Sequence, residues 1–148
     1  MQPRDSSLKI RRARESDCVR LAELSGELGY PTPVAEMRKR FTLIKPPSAH
    51  AVFVAEVGKN VIGWIHVSIT PLLEVPRRAE VNGLIVGELH RSSGAGAKLL
   101  GAAEAWARSK RCTGMSVRSN VVRDRAHAFY ERQGYTHIKT QKAFRKSL

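Results

Sequence analysis

The sequence predicts a mixed α/β fold, one sheet carrying helices, and three observations carry that expectation. A chain of 148 residues has room for a single core, since compact domains run to roughly 100–200 residues. Its hydrophobic share of 42% supports that core without a metal or disulfide staple, because a chain near this length buries roughly 68–70% of its unfolded surface. Period-two and period-3.6 apolar patterns follow one another in the order β-α-α-β-β-β-α-β-α-β-β, which is neither a clean βαβ alternation nor an all-β series. That order counts seven strands and four helices in one domain spanning residues 1–148, with its core from Leu8 onward.

The first element is Leu8-Lys-Ile-Arg-Arg-Ala, where apolar and charged residues alternate as on a half-buried strand. Ser16 or Asp17 then caps a helix whose Cys18, Leu21, Ala22, Ser25 and Leu28 share one face, and Gly29-Tyr-Pro-Thr-Pro33 stops it. A second helix over Val34 to Ile44 marks one side with Met37, Phe41 and Ile44 and ends at Pro46-Pro47. His50 to Val57 and Val61 to Thr70 are β-branched-rich runs around Gly58-Lys-Asn60, which reads as an antiparallel hairpin. Glu80 to Val86 is another strand.

Ala95 to Ser109 carries Gly96, Leu99, Leu100, Ala103, Trp106 and Ala107 at helical spacing and is the clearest amphipathic helix. Met115 to Ser119 follows as a short strand. Val122, Ala126, Phe129, Tyr130 and Gln133 then line a helix closed by Gly134. Tyr135 to Lys139 and Ala143 to Arg145 read as a terminal hairpin.

Lys and Arg number 26 against 13 Asp and Glu, a net charge of +13, which attracts polyanions, an acidic membrane face or a phosphorylated ligand. Basic residues are spread from Arg4 to Lys146 with no repeat and no linker. Cys18 and Cys112 make neither a disulfide framework nor a paired metal motif, and they read as small packing side chains in a reducing compartment. The five histidines lack His-x-x-x-His or His-Glu-x-x-His spacing, so no metal is expected. With a polar start and no apolar run approaching 18 residues, the chain reads as cytoplasmic, with no membrane partner.

The informative segment runs from Leu84-Ile-Val86 through a Gly-rich turn, Arg91-Ser-Ser-Gly-Ala-Gly-Ala97, into the amphipathic helix. The first turn of a helix leaves backbone N–H groups without intrahelical partners, and the macrodipole adds partial positive charge. Gly94 and Gly96 remove side chains that would keep a phosphate from those donors, and Arg91 brings a full charge. The segment is not a P-loop, which needs Gly-Lys-Ser/Thr where this chain has Gly96-Ala-Lys-Leu99. It is not a dinucleotide fingerprint either, whose third glycine would fall at Leu99. A helix start that needs glycine only for close packing would use the same letters.

These residues resemble the GNAT N-acetyltransferases, whose central motif is Arg/Gln-x-x-Gly-x-Gly/Ala after an apolar strand. Arg91-Ser-Ser-Gly94-Ala-Gly96 fills all three fixed positions. A later aromatic pair followed by Gly-aromatic, Phe129-Tyr130 and Gly134-Tyr135, is similar to a second element of that family, in the right order. Glu88-Leu89 stands where the family often has Pro-Glu, and Arg123 where it frequently has Asn, with Asn120 three residues earlier.

The resemblance implies a mostly antiparallel twisted sheet and direct transfer from acetyl-CoA to a primary amine of a small molecule or peptide. Its cofactor-binding residues would be Leu84, Ile85 and Val86 for the pantetheine arm, and Arg91, Ser92, Ser93, Gly94, Ala95, Gly96 and Ala97 for the pyrophosphate. Asn120, Arg123 and Tyr130 would add contacts, and Arg125 and Lys98 could meet a phosphate. A backbone N–H of Val86 or its neighbour would meet the thioester oxygen. Tyr130 would give a proton to the departing sulfur, since a phenol near pKa 10 is protonated at neutral pH. Glu80, eleven residues before Arg91, resembles the glutamate base of some members, while others use water relays. The family often dimerises, so the resemblance admits a homodimer.

Two other readings compete. The charge suits a nucleic-acid-binding domain, but the sequence lacks an aromatic-interleaved basic stripe, a zinc-finger pattern and a recognition-helix motif, which disfavours nucleic acid as the partner. A non-catalytic acyl-CoA-binding protein would keep the fold without turnover.

Overall fold

The computed structural model describes residues 8–44, 49–119 and 121–148. In chain order the elements are β1 (Leu8–Arg12), α1 (Cys18–Glu27), α2 (Val34–Leu43), β2 (His50–Val57), β3 (Asn60–Ile69), β4 (Arg78–Val86), α3 (Ala95–Ser109), β5 (Gly114–Val117) and α4 (Asp124–Arg132). Short 3₁₀ turns at Glu15–Asp17 and Glu88–His90 lead into α1 and toward α3. The chain divides into two compact units, residues 1–117 and 118–148.

The first unit holds the five-stranded sheet, ordered β1-β2-β3-β4-β5. The three pairings from β1 to β4 are antiparallel, and β4 pairs β5 in parallel. A parallel neighbour needs a crossover, and α3 provides it. The sheet is therefore mixed, with five strands among the described residues where the sequence pattern counts seven. The two missing strands are the expected terminal hairpin: residues 136–148 are irregular and exposed. Thr136, Lys139, Thr140, Gln141 and Lys142 dominate that segment, so a ladder there has little apolar surface to bury.

Each face of the sheet has its own helical cover. Val54, Trp64 and Ile85 stand side by side on β2, β3 and β4 and pack with Cys18, Leu21 and Leu24 of α1, with Met37 and Phe41 of α2 against the same cluster. Leu24, which the sequence pattern leaves off the apolar face, is fully buried. On the opposite face Leu99 of α3 reaches Gly63, whose missing Cβ would lie 2.7 Å from the Ile85 carbonyl oxygen. Only glycine lets β3 and β4 come so close.

Asp17 holds the N-cap position of α1 without a side-chain bond to that helix. Its carboxylate instead accepts the Arg14 N–H at 2.7 Å and two bonds from the Arg11 guanidinium, at 2.8 and 3.0 Å, while Arg11 also reaches Glu56 at 3.0 Å. Burial alone would raise the Asp17 carboxyl, but the bonds from Arg11 and Arg14 outweigh it and hold it below the ordinary range. No helix among the described residues is long and apolar enough to cross a membrane.

Candidate active site

β4 changes character halfway along. Ala79 to Val81 pair with β3 on one side, and Arg78 to Val81 pair with Gly114 to Val117 of β5 on the other. The β5 ladder ends at Val81↔Val117. At the same point the β3 register shifts, from His66↔Gly83 to Val67↔Val81, which leaves Asn82 as an extra residue. A bulge of this kind bends its strand and sharpens the local twist, so the ladder with β5 stops where β4 turns. The sequence signal was present: a lone Asn-Gly inside a strand pattern marks a bulge.

Beyond the bulge, Leu84, Ile85 and Val86 pair with Ile65, Trp64 and Gly63. The Gly87 N–H donates to the Ile62 carbonyl of β3 at 2.7 Å. Backbone groups alternate along a strand, so the N–H of Ile85 also turns to β3, and those of Leu84 and Val86 turn to the flank that β5 has left. Leu84 and Val86 are half-buried and Ile85 is buried.

The chain then enters the Gly-rich turn. Its base is fixed against α1: the Glu88 N–H donates to Glu27 Oε1 at 2.9 Å, and a Cβ on Gly87 would lie 3.3 Å from Leu24 Cδ2. Arg91, Ser92, Ser93 and Gly94 are exposed. Ser92 has φ +68° and Gly94 φ +88°, a left-handed conformation that costs an L-residue roughly 1–2 kcal/mol. Gly94 is the N-cap of α3, and the first turn holds no acidic residue. Ser93 Oγ accepts the Ala95 N–H at 3.4 Å, and Lys98 is the first residue to donate back, to the Gly94 carbonyl at 3.1 Å. The N–H groups of Gly96 and Ala97 therefore point out of the helix end without intrahelical partners.

Glu80 lies in the doubly paired half of β4, half-buried, and accepts a hydrogen bond from Ser116 Oγ of β5 at 3.0 Å. Thus Glu80, Leu84 to Val86 and Arg91 to Ala97 form one continuous strand, turn and helix start. Ser116 and the Glu27 anchor had no place in the sequence reading, because strand register is not written in any short motif.

The second unit carries the other expected residues. Arg123 is the N-cap residue of α4, and Tyr130 lies on its second turn. Tyr130 stacks edge-on between Phe129, 5.2 Å between ring centres, and Tyr135, 5.9 Å. The Tyr135 N–H returns to the Tyr130 carbonyl at 3.0 Å, with Gly134 at φ +92° closing the helix. Burial pushes the Tyr130 phenol above its ordinary value, and the positive charge of Arg123 opposes this in part. Val122, expected on this helix, precedes it. Asn120 lies outside the described residues. Of the two cysteines, Cys18 is fully buried with its thiol pushed up by that burial, and Cys112 is half-buried.

The sequence matches the model of the acetyltransferase (GNAT) family over residues 12–135. No curated protein matches it significantly. Among solved structures, a transcriptional regulator from Bacillus halodurans C-125 superposes with TM-score 0.79 at 27% identity, over 93% of this chain and 99% of that one. The aminoglycoside N-acetyltransferase AAC(6')-Iy, in complex with CoA, superposes with TM-score 0.87 at 19% identity over the whole of both chains. Glucosamine-6-phosphate N-acetyltransferase from Arabidopsis thaliana gives 0.82 at 20% identity, over 96% of this chain and 100% of that one. An Arg-x-x-Gly-x-Gly turn opening a helix, a strand freed along one flank, and a family match across most of the sequence converge on one assignment: the chain belongs to the GNAT family of N-acetyltransferases, which use acetyl-CoA as donor.

Proposed function

We propose that this protein acetylates a primary amine of a small molecule or peptide, as one functional domain spanning residues 1–148, and that the one-sided half of β4 is the seat of the donor. The observation that carries this is the coincidence of the bulge at Asn82, the end of the β5 ladder and the exposed Gly-rich turn. An extended ligand adding to that flank would do so as a further strand. The turn suits a diphosphate, since open glycine backbone, an acid-free helix start and Arg91 all favour negative charge. When bound, acetyl-CoA supplies an acyl group activated as a thioester.

The outward N–H groups refine the roles. Leu84 and Val86, rather than Ile85, can donate to the acyl oxygen as negative charge builds there. Leu84 lies roughly 13 Å along the strand from Glu80 and Val86 roughly 20 Å, at 3.3 Å per residue. Leu84 is therefore the donor that leaves the amine within reach of Glu80 through one or two waters. Glu80, oriented by Ser116, accepts the proton that the amine must lose. Tyr130, kept protonated by burial, donates to the departing sulfur. Arg123 sits at the start of the same helix, near enough to tune that phenol.

Titration with acetyl-CoA tests the reading. Binding raises the melting temperature, with a stabilisation of about 2.7 kcal/mol at a hundredfold excess over Kd, and an amine panel releases free thiol. Absence of both effects at millimolar acetyl-CoA sinks it. Tyr130→Phe is expected to lower turnover by roughly 10–100-fold with acetyl-CoA affinity unchanged; unchanged turnover removes the donor role.

A further inference from the structure

The register of the sheet assembles a second feature, beside the donor seat. His50, Ser68, Glu80 and Ser116 stand in one straight row across β2, β3, β4 and β5. The adjacent row, Ala51, Val67, Val81 and Val117, points to the opposite face and is apolar throughout. One step along the polar face, His66 lies opposite Gly83, beside the bulged Asn82. Further along the same face Val54, Trp64 and Ile85 are apolar and covered by α1. The switch from apolar to polar therefore falls at the bend of β4.

These side chains are not a solvated fringe. Ser68 is 5% exposed, and His50, His66, Glu80 and Ser116 are half-buried. They are linked in pairs. Asn82 Nδ2 donates to Ser68 Oγ at 2.7 Å, Ser116 Oγ donates to Glu80, and His50 Nδ1 faces His66 Nε2 at 3.0 Å with the rings stacked. Burial, with the charge of His50, holds His66 down to about 4, so it is neutral at physiological pH. With both rings neutral, either tautomer of the pair leaves one ring nitrogen a donor and one an acceptor. Ser68 keeps its O–H, and Asn82, which is exposed, keeps its amide oxygen.

The row thus offers interleaved donors and acceptors with a single carboxylate. A hydroxyl is the ligand group that answers both kinds, whereas an ammonium only donates and a phosphate only accepts. A hydrocarbon amine would leave the buried members without the partners they have in water. A polycation would also meet a chain of net charge +13. We propose that the polar row is the acceptor subsite, and that the acceptor is a monoamine on a polyhydroxylated carbon skeleton rather than an alkyl amine, a polyamine or a lysine side chain. This deepens the transferase reading and rests on it for the position of the amine.

Calorimetric titration and thiol-release kinetics with D-glucamine, n-hexylamine and spermidine, with rates corrected for the unprotonated fraction, test the proposal. D-glucamine is expected to bind without acetyl-CoA and to exceed both other amines in kcat/KM by on the order of 100-fold. Ser68→Ala and Asn82→Ala, each checked for an unchanged melting curve, should each reduce that preference about tenfold with acetyl-CoA affinity intact. Equal kcat/KM for hexylamine or spermidine, or a preference that survives both substitutions, overturns it. If glucamine binds and the two variants lose it while acetyl-CoA never binds, the subsite stands and the transferase reading falls.

Discussion

The two halves of β4 share one strand and one neighbour, β3, yet they are built for different ends. From Ala79 to Val81 the strand is paired on both sides, with β3 and with β5. From Gly83 to Val86 it has β3 alone among the described residues. One extra residue, Asn82, separates the doubly paired half from the proposed donor seat. The lesson is that a ligand edge can be made without lengthening or opening the fold, by bending a central strand away from a short neighbour.

The largest effect expected from breaking that contrast comes from proline. Leu84→Pro removes an N–H that serves no ladder, so the melting temperature should stay close to that of the parent while turnover falls by about 10²–10³-fold. Ile85→Pro removes an N–H that faces β3 and should instead unfold the edge. If circular dichroism and kinetics find the two variants alike, the division of the strand is wrong. In the doubly paired half, Glu80→Gln should cost roughly 10²-fold in turnover and flatten the acidic limb of the rate profile. A limb that keeps its shape assigns proton removal to water alone.

At the turn, Arg91→Ala should weaken acetyl-CoA binding by about tenfold, since a charge-assisted bond contributes about 1.5–3 kcal/mol. Its loss should also lessen the salt dependence of the affinity measured by calorimetry. The smallest effect concerns His66, across from the bend. Its folded value of about 4 lies below the ordinary 6.5, so between those pH values the unfolded chain takes up a proton that the folded protein refuses. Stability from this source is complete above pH 6.5 and is lost as pH falls toward 4. His66→Gln should shrink the fall in melting temperature over that range by roughly 5 °C; an unchanged slope would assign it to other groups.

Much of this was legible in the residues because it is local. β2 and α3 begin and end where β-branched alternation and helical spacing put them, at His50–Val57 and Ala95–Ser109. The Gly-rich turn was legible for the same reason, since its chemistry is contiguous. What escaped was set by register. Nothing in the sequence aligns His50, Ser68, Glu80 and Ser116, which come from four separate segments, and their row exists only once β2 to β5 have paired. The histidines, unremarkable by spacing, became a bonded pair through that register. The terminal hairpin failed for the opposite reason: Tyr135 to Lys139 and Ala143 to Arg145 have strand-like letters but too few apolar residues for a ladder to cover.

The free flank from Leu84 to Val86 also bears on solubility. An unpaired run of apolar strand backbone is a template that another copy could extend, edge to edge. A net charge of +13 holds copies apart, but that repulsion reaches only about 8 Å at physiological salt and less above it. The ligand-free protein should therefore self-associate as ionic strength rises, and a molecule lying along the strand should keep it dispersed.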